Sequence, residues 1–380
     1  MRALFDLEGQ LTSETDVVVI GGGIVGLATA FYLARRGRAV TVLERRTFGW
    51  EASGRTAAGV RQQGRDLREL PLAMAAVEVW GTLDQELAGH TGYRRDGNVF
   101  VAMSRDEMPQ LEERAVRERA LGLGVEMLTA AQLRARVPAI SDRCAGGKYC
   151  PTDGIAEPTL VMPSLARAVE RAGGRLLAGT EALDFAVEDH RVVSIVTDGV
   201  EVRPRVTVLA AGPWTPLLAM RLGVALPIAP VRSQLMRTGP TGPVCKEFLI
   251  SRELGVYCRP ASGGAMLIGG ECMRGEADPR AARENALRRI SACIPALEGV
   301  PIERMWSGLL DVTPDEVAMI GPLPGFRDCF VAAGFSGHGF CLGPGVGRLV
   351  AEWIVDGKPS LSLHALSPDR FGTQKTAHAG

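Results

Sequence analysis

The sequence predicts an α/β fold in which a Rossmann-type dinucleotide-binding domain is combined with a second domain built on an antiparallel sheet. Three observations indicate this fold: a strand, glycine turn, helix and strand near the start of the chain, alternating apolar segments in its middle, and a glycine-rich loop before a helix near its end. At 380 residues, the chain exceeds the roughly 250–300 residues at which single hydrophobic cores stop growing. We therefore expect two domains, each with its own core.

The first unit has the order that a dinucleotide-binding turn requires. An apolar strand leads into the G-x-G-x-x-G turn of Gly21, Gly23 and Gly26, and residues 39–44 read as the next strand. Gly21 lets the turn close, Gly23 leaves room for a pyrophosphate, and Gly26 lets the helix pack on the strand. Glu44 lies at the spacing where a carboxylate accepts a hydrogen bond from the ribose hydroxyl. The unit predicts a cofactor that contains AMP; the alternative is a glycine-rich turn without a ligand.

The composition narrows the class of protein. Lys and Arg together number 43, as do Asp and Glu, so the chain has no net field to attract nucleic acid or an anionic membrane. The eight cysteines include no C-x-x-C pair, which predicts reduced thiols and no metal site. The start of the chain lacks the order of a signal peptide, and no apolar run reaches the roughly 18 residues of a membrane span. We therefore expect a cytoplasmic protein with a small-molecule substrate.

The middle of the chain changes from one sheet type to another. Apolar alternation at 182–187, 191–197 and 200–202, followed by the run 205–212, indicates a β-meander that returns to a parallel sheet. After Pro227, longer strands of antiparallel character indicate a separate substrate-side sheet. The predicted nucleotide-binding domain is discontinuous and comprises residues 1–90, 145–225 and 325–380, and the predicted substrate domain comprises residues 91–144 and 226–324.

A glycine-rich loop at residues 334–345 precedes the last predicted helix, which we expect over residues 346–356. Such a backbone can approach a flat ring closely and present N–H groups at the positive end of a helix dipole. A reduced flavin develops negative charge along its N1 and C2 carbonyl edge, which a helix end stabilises. The loop therefore predicts contact with a flavin ring, and a tightly packed connection is the alternative.

Taken with these motifs, the sequence resembles the D-amino acid oxidase superfamily of FAD-dependent amino acid oxidases and dehydrogenases over nearly its whole length. Besides the opening turn, the resemblance rests on the motifs at residues 53–55, 59–63, 209–214, 313–315 and 334–340. The second and last of these are most similar to the β subunits of multi-subunit sarcosine oxidase, proline dehydrogenase and opine oxidase. The resemblance implies a Rossmann-type FAD-binding domain with the GxGxxG turn and an antiparallel-sheet substrate domain.

The resemblance also implies how FAD is bound. Gly308 stands where monomeric sarcosine oxidases carry the cysteine that bonds to the flavin, which implies noncovalent FAD. The diphosphate would lie at the glycine turn and the adenosine at Glu44 and Arg45. The remaining implied cofactor-binding residues are Ile24, Val25, Ser53, Arg55, Ala58, Gly59, Val187, Ala211, Gly212, Trp214, Gly334, Gly337, His338, Gly339 and Phe340. For Trp214 the alternative to cofactor binding is a structural role in the hydrophobic core.

The partner of the substrate carboxylate is left open by the resemblance. Cys341 stands where monomeric sarcosine oxidases place a lysine, and the arginine that glycine and D-amino acid oxidases place near Leu310 is missing. Three arginines remain as candidates for this role: Arg61, Arg232 and Arg259.

The candidate catalytic residues are Arg61, Tyr257, Arg259 and His338. The resemblance implies that Arg61 lies near the catalytic face of the flavin, and an ion pair at the surface or between domains is the alternative. Tyr257 is expected either to donate a hydrogen bond in the substrate cavity or to pack within its strand. His338 is expected either to act as a base or, more in keeping with its glycine neighbours, to orient the backbone.

The resemblance implies oxidation of an amino acid C–N bond in a secondary amine, an opine or an imino acid, by hydride transfer to FAD. The β-subunit relatives pass electrons to a second flavin and to partner subunits, so an FMN at a subunit interface and an iron–sulfur subunit are implied here too. Any FMN would be held without a bond, because the histidine that bonds it in multi-subunit sarcosine oxidases is replaced near Pro158. Two alternatives are a free-standing glycine, sarcosine or D-amino acid oxidase that makes hydrogen peroxide, and a non-catalytic FAD-bearing assembly subunit.

Overall fold

The computed structural model describes residues 4–5, 11–242, 244–276 and 278–372. The parts of the predicted nucleotide-binding domain at residues 1–3, 6–10 and 373–380 lie outside the described residues. In chain order the strands are β1 (Leu4–Phe5), β2 (Leu11–Ile20), β3 (Val40–Glu44), β4 (Gly59–Val60), β5 (Asn98–Ala102), β6 (Glu126–Thr129), β7 (Gly146–Cys150), β8 (Gly154–Ile155), β9 (Arg175–Ala178), β10 (Ala182–Glu188), β11 (Arg191–Thr197), β12 (Glu201–Leu209), β13 (Ala229–Thr238), β14 (Phe248–Ser251), β15 (Val256–Pro260), β16 (Met266–Arg274), β17 (Ile302–Val312), β18 (Met319–Pro322) and β19 (Cys329–Ala333). The helices are α1 (Ile24–Arg35), α2 (Leu70–Glu86), α3 (Glu107–Ala120), α4 (Ala130–Arg136), α5 (Pro158–Arg171), α6 (Thr215–Arg221), α7 (Pro279–Cys293) and α8 (Gly339–Asp356).

The first large sheet is the predicted Rossmann-type sheet. Its main path runs β10-β11-β12-β2-β3-β9, with β1 beside β2 and β19 between β12 and β18. The strands β2, β3, β9, β12 and β19 pair in parallel, whereas β10 and β11 form the predicted antiparallel meander that leads into β12. The run Val17–Ile20 is buried on both faces, as expected for a parallel strand covered by helices. The carboxyl ends of β2 and β3 thus meet at one edge of the sheet.

The second large sheet is the predicted antiparallel sheet. Its order is β17-β13-β16-β15-β14-β5-β7-β6, and within it only the pair β5 and β14 is parallel in the described residues. Ala282, Ala286 and Ile290 of α7 are buried in a core that this sheet shares with them. An α/β fold with a Rossmann-type domain and an antiparallel-sheet domain is therefore confirmed.

Two strands lie on the other side of the domain boundaries that the sequence suggested. Strand β7, placed by sequence in the nucleotide-binding domain, pairs with β5 and β6 in the second sheet. Strand β18, placed by sequence in the substrate domain, pairs with β19 in the first sheet. The chain therefore crosses between the sheets a few residues away from positions 145 and 325.

The last helix is longer than the sequence predicted, because α8 begins at Gly339 rather than at residue 346. Gly343 and Gly345, which were predicted to lie in the loop, are packing positions inside the helix, as is Gly347. A Cβ at Gly343 would lie 2.7 Å from Cγ2 of Ile24, one at Gly345 would lie 2.8 Å from Cα of Ala76, and one at Gly347 would lie 2.5 Å from the backbone of Ala28. These glycines let α8 contact α1 and α2 closely, so helical glycine was mistaken for loop glycine. The predicted end of the helix is confirmed at Gly357, which is left-handed with φ of 78°.

Candidate FAD and substrate site

A cavity of about 800 Å³ connects the first glycine turn with the C-terminal glycine-rich segment. Its walls come from the end of β2, the start of α1, the end of β3, the segment at residues 49–66, the region that begins α6, and the facing strands of the second sheet. Most of the predicted cofactor-binding residues line this one cavity: Gly21, Gly23, Ile24, Val25, Glu44, Arg45, Ser53, Arg55, Gly59, Ala211, Gly212, Trp214, Gly337, His338, Gly339 and Phe340. Three of the predicted catalytic residues, Arg61, Tyr257 and His338, line it as well.

The glycine turn has the shape that a diphosphate requires. A Cβ at Gly21 would lie 2.3 Å from the carbonyl oxygen of Ala210, and one at Gly26 would lie 1.9 Å from the carbonyl oxygen of Gly21. At Gly23, by contrast, the nearest atom to an added Cβ is a side-chain atom, Oγ of Ser53 at 3.2 Å, and no backbone atom stands against this position. The first N–H groups of a helix lack partners within the helix and favour anions, which suits a diphosphate at the start of α1.

The end of the cavity where the sequence predicts adenosine contains a carboxylate and a stacked pair of side chains. The two oxygens of Glu44 accept hydrogen bonds from the N–H groups of Gly22 and Arg46, each at 2.8 Å. Because a carboxylate has about four acceptor positions, Glu44 retains capacity for ribose hydroxyls. The Cζ atom of Arg45 lies 3.8 Å from the ring centroid of Trp214, and both side chains line the cavity. Trp214 is half-buried at the cavity wall, so the alternative that it packs in the hydrophobic core is wrong.

The other end of the cavity is formed by the start of α8. Because α8 begins at Gly339, the positive end of an 18-residue helix lies directly at the wall of the cavity. Asp311, which the sequence analysis missed, holds this segment in place: its carboxylate accepts a hydrogen bond from Gly334 N–H at 2.7 Å, and its carbonyl accepts one from Ser336 N–H at 2.8 Å. Burial raises the pKa of Asp311 to about 6.

His338 lies at the junction of α8 and the cavity and is paired with a buried glutamate. Its Nδ1 atom lies 2.9 Å from Oε2 of Glu69. Burial, together with the nearby Arg65 cation, lowers the pKa of His338 to about 4. The imidazole is therefore neutral at pH 7, and its hydrogen bond to Glu69 fixes the ring.

Arg61 lies at the same end of the cavity. Its guanidinium lies 5.6 Å from the ring centroid of Phe100 and donates a hydrogen bond to the Gln63 carbonyl. Burial and the neighbouring Arg65 cation lower the pKa of Arg61 to about 9. Cys341 does not line the cavity; its Sγ atom accepts a hydrogen bond from Arg61 N–H at 3.2 Å.

Tyr257 also lines this region and packs against Phe248, with 5.3 Å between ring centroids. The sequence analysis missed several further lining residues here: Arg65, Phe100, Arg114, Ile250, Arg252 and Arg274. Of these, Arg65 lies two positions after the motif at residues 59–63. That proximity was the signal in the sequence that could have identified Arg65 as a lining residue.

Two of the candidate arginines lie away from the cavity. Arg259 is buried in an ion pair with Glu157, with Nη1 and Oε1 at 2.7 Å, and its Nε donates to the Ala57 carbonyl. Its guanidinium is occupied, so the prediction of a catalytic role for Arg259 is corrected to a structural one. Arg232 is exposed on β13 and donates to the Ser307 hydroxyl, outside the lining. Of the three arginines proposed to bind the substrate carboxylate, Arg61 is thus the one that lines the cavity.

Four predicted cofactor-binding residues do not line the cavity. Val187 is exposed near the far end of β10, about 16 Å along the strand from the lining residue Ala182. Gly26, Ala58 and Gly334 are buried and support the wall instead: Gly26 packs on Gly21, Ala58 is buried with a positive φ of 56°, and Gly334 is held by Asp311. A single sequence shows which residues belong to a turn but not which of them face the ligand.

Within the described part of the chain, no group of three or more His, Cys, Asp and Glu side chains is arranged to hold a metal ion. None of the described helices has the length and apolar character that crossing a membrane would need.

Comparisons with known proteins agree with this fold. The glycine oxidase of Geobacillus kaustophilus (strain HTA426) is 29% identical over 371 residues, which cover 95% of this chain and 98% of that protein. Human mitochondrial sarcosine dehydrogenase is 28% identical over 406 residues, which cover 97% of this chain but only 42% of that protein. The crystal structure of L-proline dehydrogenase from P. horikoshii matches with a TM-score of 0.90 at 29% identity and covers 95% of this chain and 98% of that chain.

The family model described as DAO, FAD dependent oxidoreductase, matches residues 16–353. This range contains the glycine turn, the arginines of the cavity and most of α8. The resemblance seen in the sequence and the expectation of a redox enzyme are thereby confirmed. The chain belongs to the DAO family of FAD-dependent oxidoreductases.

Proposed function

We propose that this chain uses noncovalent FAD to oxidise the C–N bond of a small amino acid whose carboxylate is bound by Arg61. The observation that carries this proposal is the single cavity that runs from the glycine turn at Gly23 to the half-buried guanidinium of Arg61. Among the relatives, glycine oxidase, sarcosine dehydrogenase and the structurally similar proline dehydrogenase are named for amino acid substrates. Those names support the same class of reaction here.

The residues of the cavity fit this cofactor and this class of substrate. The start of α1 and Glu44 would hold the diphosphate and the ribose, while Arg45 and Trp214 would cover the adenosine. Gly308 leaves no nucleophile at its position in the wall, which supports a noncovalent cofactor. FAD, when bound, supplies a hydride acceptor for the carbon next to the amine nitrogen.

The protein's own contribution is orientation and electrostatics. Arg61 would bind the carboxylate and thereby fix the reacting carbon in one position. The positive end of α8 would stabilise negative charge that develops beside it. Apolar side chains such as Phe100, Leu235 and Ile250 line the same region and exclude water. His338, neutral and tied to Glu69, would orient the segment rather than take up the amine proton.

The electron acceptor is the finer part of the proposal. The motifs shared with β subunits favour transfer to a partner subunit, with an FMN at an interface or an iron–sulfur subunit as further elements. A free-standing oxidase is the second candidate, because this chain covers 98% of the length of glycine oxidase but only 42–46% of the sarcosine and dimethylglycine dehydrogenases. A cytoplasmic location remains part of the proposal, as the sequence composition suggested.

The test is an anaerobic titration of the FAD-loaded protein with proline, hydroxyproline, sarcosine, octopine, nopaline and D-amino acids. Bleaching of the flavin absorption band by one of these amines supports the proposal and eliminates a purely structural FAD subunit. If none of the amines reduces the flavin, the proposed reaction is wrong. Turnover with an artificial acceptor that greatly exceeds turnover with dioxygen supports a dehydrogenase, whereas vigorous peroxide formation supports the oxidase.

A further inference from the structure

Arg65 is a buried cation with an unused hydrogen-bonding edge. Its side chain is 2% exposed and lines the cavity near Arg61 and His338. Two of its nitrogens, Nε and Nη2, donate to the carbonyl oxygen of Arg61 at 3.1 and 3.0 Å. The third nitrogen, Nη1, is buried and has no hydrogen-bond partner among the residues that the structure describes. A buried guanidinium nitrogen without a partner is costly, so the position calls for an acceptor.

Arg65 is part of a cationic cluster, which we define as Arg61, Arg65, Arg114, Lys148 and Arg252. The cluster is held together through one aromatic ring and one short segment of backbone. The cations of Arg61, Lys148 and Arg252 lie 5.6, 5.5 and 5.2 Å from the ring centroid of Phe100. Arg114 donates to the Arg65 carbonyl, and Arg252 donates to the Gly64 carbonyl at 2.9 Å.

The acids around this cluster are already engaged elsewhere. Glu118 is fully buried and pairs with Lys148 and Arg114. Asp153 accepts hydrogen bonds from the backbone and side chain of Gln62 through Oδ1, while its buried Oδ2 has no hydrogen-bond partner among the described residues. Glu69 is bound to His338. Within the part of the chain that the structure describes, neither Arg61 nor Arg65 forms an ion pair with a carboxylate.

Arg65 is buried and Arg61 is half-buried, and neither forms an ion pair with a carboxylate of the described residues, so a single substrate carboxylate would serve only one of the two. Charges in a low-dielectric site repel each other unless counter-charges are supplied. If the proposed carboxylate of an amino acid is bound by Arg61, the unpartnered Nη1 of Arg65 remains. A second anionic group on the same ligand would satisfy it, and planar guanidinium groups suit carboxylates in particular.

We propose that Arg65 is a specificity-determining residue that binds a second carboxylate of the substrate, so that the preferred substrate is a dicarboxylic secondary amine. The inference rests on the proposed function, because it assumes that the first carboxylate and the reacting amine occupy this same cavity. An amino acid whose nitrogen carries a carboxyalkyl group has the required chemistry. The amine is then flanked by two anions, one for each of the two arginines.

The test compares two amines that differ by one carboxylate. Sarcosine and iminodiacetate share the N–CH₂–carboxylate unit, and only iminodiacetate carries a carboxylate on the second arm. The rate and the dissociation constant of anaerobic flavin reduction are measured for both amines with the wild-type holoenzyme and with the Arg65→Met and Arg65→Lys variants. Arg232→Gln is the matched control, because it removes an exposed arginine of β13 that does not line the cavity.

We expect the wild-type protein and Arg232→Gln to prefer iminodiacetate by about 10- to 100-fold, the range expected for one charged hydrogen-bonded contact. Arg65→Met should lose this preference through weaker binding of iminodiacetate, while its reaction with sarcosine changes little. Arg65→Lys should retain part of the preference, because it keeps the charge but not the planar fork. The comparison within the wild-type protein does not depend on the folding of any variant.

Two results would overturn the inference. A wild-type protein that treats the two amines alike, or prefers sarcosine, has no site for the second carboxylate. An Arg65→Met holoenzyme that loses both amines equally, or loses FAD itself, shows that Arg65 serves the cofactor or the first carboxylate. In either case the proposed reaction stands as long as an amine bleaches the flavin, and it fails only if none does.

Discussion

The substitution Gly23→Ala tests where the diphosphate lies, because we expect a small effect on folding and a large effect on FAD binding. Gly23 caps α1 with φ of −74° and ψ of 178°, a conformation that alanine adopts without strain. The added methyl group would have Oγ of Ser53, at 3.2 Å, as its nearest neighbour. The methyl group would nevertheless stand in the space that the diphosphate needs.

The magnitudes follow from these contacts. For the apoprotein, alanine at a compatible position stabilises by about 0.4–1 kcal/mol through the unfolded chain. The 3.2 Å contact with Ser53 Oγ, which also accepts a hydrogen bond from Ile24 N–H at 3.0 Å, opposes this gain, so we expect a net change within about 1 kcal/mol of zero. For FAD, loss of one or more charge-assisted hydrogen bonds of about 1.5–3 kcal/mol each weakens binding by at least about 10-fold. Gly26→Ala behaves differently, because its Cβ would lie 1.9 Å from the Gly21 carbonyl oxygen and would disrupt the turn itself.

The assay combines urea unfolding of the apoprotein with titration of FAD followed by flavin fluorescence. Gly81→Ala is the matched control, because Gly81 is exposed in α2 with no atom within 4 Å of an added Cβ. That variant should gain up to about 1 kcal/mol of stability from helix propensity and bind FAD as the wild-type protein does. If Gly23→Ala folds normally and binds FAD with wild-type affinity, the diphosphate does not lie over Gly23 and the site as described is wrong.

Three further predictions concern single contacts. Glu44→Gln should weaken FAD binding by about 10-fold in the same titration, because one of the two carboxylate acceptors is lost; unchanged affinity would contradict a ribose contact. Lys148→Met should lower the free energy of unfolding by up to about 3–5 kcal/mol in urea, because the buried Glu118 loses its nearer cation and keeps only Arg114, and adding Glu118→Gln should recover part of the loss. The pKa of His338 is about 4 in the folded protein and 6.5 as its ordinary value, so the unfolded chain binds a proton first as the pH falls. Stability should therefore decline from about pH 6.5 towards pH 4, and His338→Asn should remove this component; an unchanged pH profile would contradict the burial of a neutral imidazole.

The parts of the fold that the sequence predicted well are those set by local patterns. Strands β10 and β11 lie within one residue of the bounds expected at 182–187 and 191–197, because the alternation of apolar and other side chains marks each of them. The turn at Gly21 was assigned correctly for the same reason, since a positive φ of 114° and contact with Ala210 both require glycine. The start of α8 was missed because glycine has two uses that a single sequence does not separate: it permits a loop conformation, and it lets two helices approach closely.

Local sequence patterns did not predict which arginines of the cavity have an acidic partner. Arg61 and Arg259 were both candidates for the substrate carboxylate in the sequence, yet in the structure Arg259 is the one that pairs with Glu157. An arginine is available to a ligand only if no acid of the protein reaches it, and the acid that does so lies 102 residues away in the chain. Arg65 belongs to the opposite case, because its neighbouring acids are taken by Lys148 and His338. Which cation of the cavity lacks an acidic partner thus depends on how the whole domain packs. For this reason the specificity of the site could be inferred only from the structure.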